Sequence, residues 1–233
     1  MMRFAGFIKT TLLDWDGKVA CTAYLPGCNY RCPFCHNKDL VLDPEGNQEI
    51  DGEDILRYVE EHGDFLDGVV ISGGEPTLHP ELHRFIKELR SRGMKIKLDT
   101  NGSRPDVLED LLGAGLVDFV AMDVKTALNE RYALAAGVEV NLDDLRRSIK
   151  VILDSGVDHE FRTTVVPHIV TEEDIDSIAE EIRGARLYAL QQFRPTVTLD
   201  ENLSVLDPYP ESEMLAMAKQ AQAELRKVVL RGV

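Results

Sequence analysis

Three cysteines near the start of the chain are its most informative residues. Cys28, Cys32 and Cys35 follow the spacing C-x3-C-x2-C. Thiolate sulfur is a soft ligand that selects zinc, copper(I) or iron–sulfur clusters over hard cations. A [4Fe–4S] cluster is normally held by four cysteines, so a loop with three would leave one iron with an open position. A substrate or cofactor can bind at such an iron, and the spacing therefore favours a reactive centre over a structural one.

A structural zinc site is the main alternative for these cysteines. Cys32 and Cys35 could form one zinc knuckle, completed by Cys28, Cys21 or His36. Such sites usually combine two knuckles, whereas the chain has no cysteine after Cys35. Cys21 lies in an apolar run, so we expect it to be a buried core thiol. We do not expect disulfides, because no signal-peptide pattern precedes the crowded cysteines.

Length, composition and charge fit a cytoplasmic globular enzyme. A chain of 233 residues with 44% hydrophobic residues can bury one sizeable core. No apolar stretch approaches the ~20 residues that a membrane-spanning helix requires, so we expect no membrane span. The net charge of -15 repels phosphate groups, and we find no basic patch that would offset it. Nucleic acid is therefore not an expected partner.

Strand-like and helix-like segments alternate along the chain. The predicted strands are Lys18–Leu25, Gly68–Ser72, Met94–Asp99, Val117–Asp123, Glu160–Val166 and Leu187–Phe193. The predicted helices are Asp51–Glu61, Pro80–Arg92, Pro105–Ala114, Leu142–Asp154, Glu172–Arg183 and Glu211–Lys227. Short, mostly unalternated apolar runs are typical of strands buried on both faces. Six βα units in series predict one α/β domain, either a partial barrel or a doubly wound parallel sheet.

Polar residues gather where the predicted strands end, which is where such folds bind ligands. The first strand runs into the cysteine loop, and the second ends in Ser72-Gly73-Gly74-Glu75-Pro76. The polar residues at the ends of the later strands are Asp99-Thr100-Asn101-Gly102, Asp123-Val124-Lys125, Arg162, Thr164, Gln191, Gln192 and Arg194. Taken singly, each has a structural explanation, such as a turn or an ion pair between Asp123 and Lys125. Their occurrence at the same end of at least four strands predicts one site that includes the cysteine loop.

These motifs resemble those of the radical S-adenosylmethionine (SAM) enzymes. The three cysteines, with Phe34 before the last, look like the family signature, and Gly73-Gly74-Glu75-Pro76 matches its second motif. Cys35-His36-Asn37, Asp99-Thr100-Asn101-Gly102 and Met122-Asp123-Val124-Lys125 are similar to the glycyl radical enzyme activating enzymes. Leu12–Lys18 and Gln192–Pro195 are most similar to anaerobic ribonucleoside-triphosphate reductase activating proteins, although Asp16 replaces that branch's usual proline.

The resemblance implies a fold and a division of the chain. It implies a partial (β/α)6 TIM-like barrel of the radical SAM type over residues 18–195. Residues 1–17 would form an N-terminal extension. Residues 196–233 would form a C-terminal segment and a helix packed on the barrel, so that the chain is a single domain overall.

The resemblance also implies a role for each site residue. Cys28, Cys32 and Cys35 would ligate three irons of a [4Fe–4S] cluster, and SAM would chelate the fourth. The residues implied for SAM binding are Phe34, His36, Gly73, Gly74, Glu75, Asp99, Asn101, Thr164 and Gln192. Asp123, Lys125 and Arg162 would orient SAM. A monovalent cation would lie at Asp99, Thr100 and Asp123, with the Ala121 carbonyl as a further ligand.

The implied activity is reductive cleavage of SAM to a 5′-deoxyadenosyl radical, which abstracts hydrogen from a glycine of a partner enzyme. Anaerobic ribonucleotide reductase is the expected partner, and flavodoxin or ferredoxin is the expected type of electron donor. Two alternatives stay open. One is a radical SAM enzyme that acts on a small molecule, as the deazaguanine-forming members do. The other is a non-enzymatic electron carrier or zinc-stabilised adaptor.

Overall fold

The computed structural model describes residues 2–44, 46 and 49–233, so Met1 of the predicted extension, Glu45, Asn47 and Gln48 lie outside it. The strands are β1 Arg3–Phe4, β2 Gly6–Thr11, β3 Ala20–Leu25, β4 Ile50–Asp51, β5 Gly68–Gly73, β6 Lys95–Thr100, β7 Phe119–Asp123, β8 Asp158–Val165, β9 Tyr188–Gln192 and β10 Val228–Arg231. The helices are α1 Lys38–Leu42, α2 Gly52–His62, α3 Leu82–Ser91, α4 Pro105–Gly113, α5 Tyr132–Ala136, α6 Leu142–Ser155, α7 Glu172–Glu181 and α8 Glu211–Ala221. Short 3-10 helices cover Pro76–Leu78 and Glu201–Val205.

One open sheet forms the centre of the molecule. Its strands lie in the order β10-β9-β8-β7-β6-β5-β3-β2, and every neighbouring pair from β10 to β3 is parallel. All six predicted strands are present, and each predicted helix overlaps an observed one. The α/β fold class is therefore confirmed, with a parallel sheet of the partial TIM-like barrel type.

Both edges of the sheet contain a strand that the sequence reasoning did not predict. Gly6–Thr11 of the N-terminal extension pairs antiparallel with β3 as β2. The predicted closing helix Glu211–Lys227 ends earlier, at Ala221, and Val228–Arg231 pairs with β9 as β10. The apolar run Val228-Val229-Leu230 suits a strand, and its pairing covers an otherwise exposed edge of β9.

The helices pack on the outer face of the sheet. In α3 the buried residues Leu82, Phe85, Ile86 and Leu89 recur at helical spacing and form one apolar face. Together with the corresponding faces of the other helices and outward side chains of the strands, they form the main core. Across the described ranges, no helix is both long and apolar enough to cross a lipid bilayer.

The inner face of the sheet is apolar at one end and charged at the other. At the amino ends of the strands, Trp15, Ala20 and Val70 form a small cluster against which Phe119 packs. Further along, the register aligns Asp99 with Ala121 and Ala121 with Glu160, while Asp123 pairs with Arg162. Because alternate residues of a strand share a face, these charges point into the barrel, toward the carboxyl ends of the strands.

Candidate functional site

The cysteine loop follows β3 and is held by main-chain contacts. The Arg31 amide donates to the Ala136 carbonyl at the end of α5, 2.8 Å away, and the Cys35 amide donates to the Cys32 carbonyl at 3.0 Å. Cys32 is buried, and Cys28 and Cys35 are half-buried. Burial raises the pKa of the Cys32 thiol to about 11 and also raises the pKa values of the Cys28 and Cys35 thiols. The positive charge of Lys125 opposes this shift at all three sulfurs.

The two glycines at the end of β5, Gly73 and Gly74, allow the chain to pass directly beside this loop. A Cβ added at Gly73 would lie 2.3 Å from main-chain atoms of Leu25, and one at Gly74 would lie 1.8 Å from the Gly27 carbonyl. Gly73 also has a φ of 122°, which disfavours residues with a side chain. The Gly74 amide donates to the Leu25 carbonyl at 2.8 Å. Both glycines are therefore required to pack the strand end against the start of the cysteine loop.

The Glu75 side chain links two loops, and its implied role in SAM binding stays a prediction. Its side chain is fully buried and does not line the cavity described below. One carboxylate oxygen accepts hydrogen bonds from the Thr77 amide and hydroxyl and from the Thr100 hydroxyl, and the other accepts from the Asn101 amide at 2.6 Å. Burial raises the pKa of Glu75 despite these bonds. The carboxylate thus fastens the loop after β5 to the loop after β6.

An ion-pair network from three neighbouring strands lies beside the cysteines. Arg162 Nε donates to Asp123 Oδ1 at 2.7 Å, and Lys125 Nζ donates to Asp123 Oδ2 at 2.8 Å. Arg162 Nη1 also lies 3.4 Å from Asp99 Oδ2, so its guanidinium bridges the two carboxylates implied for a cation. The Ser72 hydroxyl donates to the same Asp99 oxygen at 3.0 Å.

The charge states in this network are fixed by mutual attraction. Burial alone would raise the pKa of Asp123, but the positive charges of Arg162 and Lys125 outweigh it and hold that pKa well below its usual range. Conversely, burial would lower the pKa values of Lys125 and Arg162, and the negative charge of Asp123 raises both instead. All three groups therefore stay ionised at neutral pH, with defined orientations.

A second charged layer lies deeper in the barrel, and the sequence reasoning missed it. Lys97 Nζ donates to the Asp14 carbonyl at 2.5 Å and lies 3.6 Å from Glu160 Oε1. Glu160 is 1% exposed, and its other oxygen accepts from Arg231 Nη2 of β10 at 2.8 Å. The period-two alternation of Lys97 with Asp99, and of Glu160 with Arg162, was a signal that could have identified these inward positions.

A cavity of about 160 Å³ joins these groups at the mouth of the barrel. It is lined by Cys28, Tyr30, Cys32, Asn37, Ser72, Gly73, Gly74, Asp99, Thr100, Asn101, Asp123, Lys125 and Arg162. The family resemblance assigned a role at the site to ten of these thirteen residues, and it assigned none to Tyr30, Asn37 and Ser72. A larger cavity of about 470 Å³ lies between α4 and α6 and contains none of the motif residues.

Some of the implied residues lie outside this cavity. They are Phe34, Cys35, His36, Glu75, Ala121, Thr164 and Gln192. Gln192 shares its strand face with Val165 and donates to the Tyr209 carbonyl at 2.7 Å. Gln191 instead is aligned with Thr164 and Arg231. Gln191 and Gln192 are neighbours on β9, so their side chains lie on opposite faces of the sheet, and Gln191 is the one on the same face as Thr164.

The cavity has features that suit an iron–sulfur cluster with a charged ligand. Two of the three thiols line it, and thiolate is the ligand type that such clusters use. Within the described residues, Asp99 Oδ1 and the Tyr30 hydroxyl are buried in its wall without a hydrogen-bond partner. In the same residues, no three His, Cys, Asp or Glu side chains converge as ligands of a single metal ion.

Comparison with known proteins agrees with this geometry. Residues 23–182 match the model of the radical SAM superfamily. A Methanocaldococcus jannaschii protein whose name assigns it to the glycyl-radical enzyme activating enzymes is 35% identical over 239 residues, which cover 98% of this chain and 95% of that protein. The pyruvate formate-lyase-activating enzyme of Clostridium pasteurianum is 28% identical over 93% of this chain and 92% of its own.

Among solved structures, SuiB of Streptococcus suis bound to S-adenosylmethionine has a TM-score of 0.69 at 15% identity, over 91% of this chain and 52% of SuiB, which is a likeness of fold. The matches confirm the resemblance to radical SAM enzymes and to glycyl radical enzyme activating enzymes, the prediction of an enzyme, and the fold class. The family implies a [4Fe–4S] cluster and SAM as cofactors. The chain belongs to the radical SAM superfamily, among the glycyl-radical enzyme activating enzymes.

Proposed function

We propose that this enzyme installs a radical on a glycine of a partner enzyme. The observation that carries the proposal is that two cluster-type cysteines share one cavity with Asp99, Asp123, Lys125 and Arg162. Once bound, the cluster would supply the electron for cleaving SAM into methionine and a 5′-deoxyadenosyl radical, which takes hydrogen from glycine. The protein's task is to bind and orient both cofactors and to exclude water.

The residues divide this task by their chemistry. Cys28, Cys32 and Cys35 would each ligate one iron. The main chain at Gly73 and Gly74 lines the cavity without side chains and would accept close approach of the amino end of SAM. Lys125 and Arg162, already held by Asp123, would attract the SAM carboxylate and fix its direction.

The remaining implied contacts are part of the same proposal. Phe34 and His36 would lie beside the adenine, and Asn101 and Thr164 would complete the SAM site. Gln192 would have to leave the Tyr209 carbonyl and the opposite face of β9 to take part. The prediction of a monovalent cation at Asp99, Thr100 and Asp123 stays a prediction. Asp99 Oδ1 accepts no hydrogen bond from the described residues, but Lys97 Nζ already lies 3.7 Å from it.

Anaerobic ribonucleoside-triphosphate reductase is the partner that we propose. The support is the resemblance of Leu12–Lys18 and Gln192–Pro195 to its activating proteins. Pyruvate formate-lyase is the second candidate, because a relative is named for its activation. We also propose flavodoxin or ferredoxin as electron donor and a cytoplasmic location, where the four unpaired cysteines would stay reduced.

The test is formation of a glycine-centred radical. The anaerobically reconstituted enzyme, SAM and a reductant are mixed with each of the two candidate partners, and electron paramagnetic resonance follows the radical. We expect a signal with the ribonucleotide reductase that is lost when its radical glycine is replaced by alanine. A signal with pyruvate formate-lyase alone would overturn the partner assignment. SAM cleavage with neither partner responding would favour the small-molecule alternative.

A further inference from the structure

Tyr30 has a buried hydroxyl for which the described residues provide no hydrogen-bond partner. The side chain is 3% exposed, lies between the first two cysteines of the loop and lines the same cavity as Cys28 and Cys32. A buried hydroxyl without a partner is costly, since it has given up its hydrogen bonds to water. Its position in the cavity wall therefore points to a group that the hydroxyl contacts when the cavity is filled.

The surroundings of Tyr30 identify the kind of group. The Tyr30 amide already donates to Cys28 Sγ at 3.4 Å, and Asn101 Nδ2 lies 3.9 Å from the same sulfur. A phenol keeps its proton at neutral pH and can act as a donor. The first cysteine thus lies among hydrogen-bond donors, and the Tyr30 side chain lines the cavity that Cys28 and Cys32 also line.

We propose that the Tyr30 hydroxyl donates a hydrogen bond to a sulfur of the iron–sulfur cluster and thereby raises its reduction potential. Hydrogen bonds to the sulfurs are one of the factors that set the potential of such clusters. A donated bond stabilises the more negative, one-electron-reduced state more than the oxidised state, because the charge on sulfur is larger. The inference rests on the proposed cluster at these cysteines and assigns Tyr30 a positioning and tuning role, without a step in the reaction.

The test is the midpoint potential of the reconstituted Tyr30→Phe enzyme, measured by anaerobic redox titration in the absence of SAM. We expect the equilibrium constant for one-electron reduction to fall about tenfold, which corresponds to a midpoint ~59 mV lower. The variant without cofactors is expected to melt at the same or a higher temperature than the parent, because it loses an unsatisfied buried hydroxyl. A structural role of this hydroxyl would lower the melting temperature instead.

Tyr188→Phe is the matched control. Tyr188 is also buried, but its hydroxyl donates to Thr163 Oγ1 at 2.9 Å on the neighbouring strand. Its loss is expected to lower the melting temperature and to leave the midpoint unchanged. An unchanged midpoint in Tyr30→Phe would overturn the inference, and if SAM binding alone weakened, the hydroxyl would be assigned to SAM. Failure of the parent chain to load a cluster would overturn the proposed function itself.

Discussion

The two ends of the barrel are built from the same strands, but they differ in whether their buried polar atoms have hydrogen-bond partners. At the amino ends, Trp15 fills the interior, with its ring centroid 6.0 Å from that of Phe119. At the carboxyl ends, a cavity separates the cysteine loop from the ion pairs of Asp123. Four buried side-chain polar atoms lack a hydrogen-bond partner within the described residues, and two of them belong to Tyr30 and Asp99, which line this cavity.

The contrast indicates which end is prepared for a ligand. The layer of Lys97, Glu160 and Arg231 between the two ends is charged but internally paired. Burying charges is tolerable only when they are paired, so charge by itself does not mark the site. Unsatisfied polar atoms beside thiols do mark it. The apolar amino end, or base, therefore packs the strands together, and the carboxyl end, or mouth, is where we propose that the cofactors bind.

Loss of one mouth cysteine is expected to have the largest effect. Cys32→Ala removes a thiolate ligand, so we expect neither cluster binding nor SAM cleavage, as measured by iron content, visible absorbance and 5′-deoxyadenosine. Cys21→Ala is the matched control, because Cys21 is a fully buried core thiol on the outer face of β3. It is expected to keep the cluster. If both variants lost the cluster to the same extent, the loss could not be assigned to the cysteine loop.

At the base, the expected effect is on stability alone. Trp15→Ala leaves a cavity in the inner cluster, and we expect the free energy of unfolding to fall by about 3–5 kcal/mol. Leu13→Ala, at a residue that is 89% exposed, is the control and is expected to change it by less than about 0.5 kcal/mol. Denaturant unfolding measures both. Loss of the cluster in a folded Trp15→Ala enzyme would contradict the separation of the two ends.

A smaller effect is expected from the ion pairs at the mouth. Asp123→Ala releases Lys125 and Arg162 from their fixed orientations, so we expect SAM affinity to weaken by about tenfold, or ~1.4 kcal/mol, with the cluster intact. Equilibrium SAM binding to the reconstituted enzyme measures it. Asp118→Ala is the control, since Asp118 pairs with Arg90 at 2.6 Å just before β7, at the base. Cluster loss in Asp123→Ala would count against the assigned role.

Much of the mouth could be predicted because its motifs are local in sequence. The cysteine spacing and the polar strand ends each lie within a few residues, and parallel strands bring their ends together without further information. The charged layer below could not be predicted in the same way. Arg231 meets Glu160 only because β10 pairs with β9, a contact between distant parts of the chain. Short sequence patterns do not predict a pairing between such distant segments.

Two further differences have their own physical causes. The contacts of Glu75 depend on four hydrogen-bond donors from three residues, Thr77, Thr100 and Asn101. Two of these residues lie at the end of the next strand, β6. The faces of Gln191 and Gln192 depend on the exact register of β9, where one residue reverses the direction of the side chain. The motifs therefore predict which segments of the chain lie together. Only the structure shows which side-chain atoms are free to contact a ligand.

The central claim is that the three loop cysteines support SAM cleavage at this mouth. The most direct measurement is anaerobic: the protein is reconstituted with iron and sulfide, reduced, supplied with SAM and assayed for 5′-deoxyadenosine. We predict product that requires Cys28, Cys32 and Cys35, each tested as its alanine variant, and that persists in Cys21→Ala. A fully loaded and reduced cluster that yields no 5′-deoxyadenosine would contradict the account.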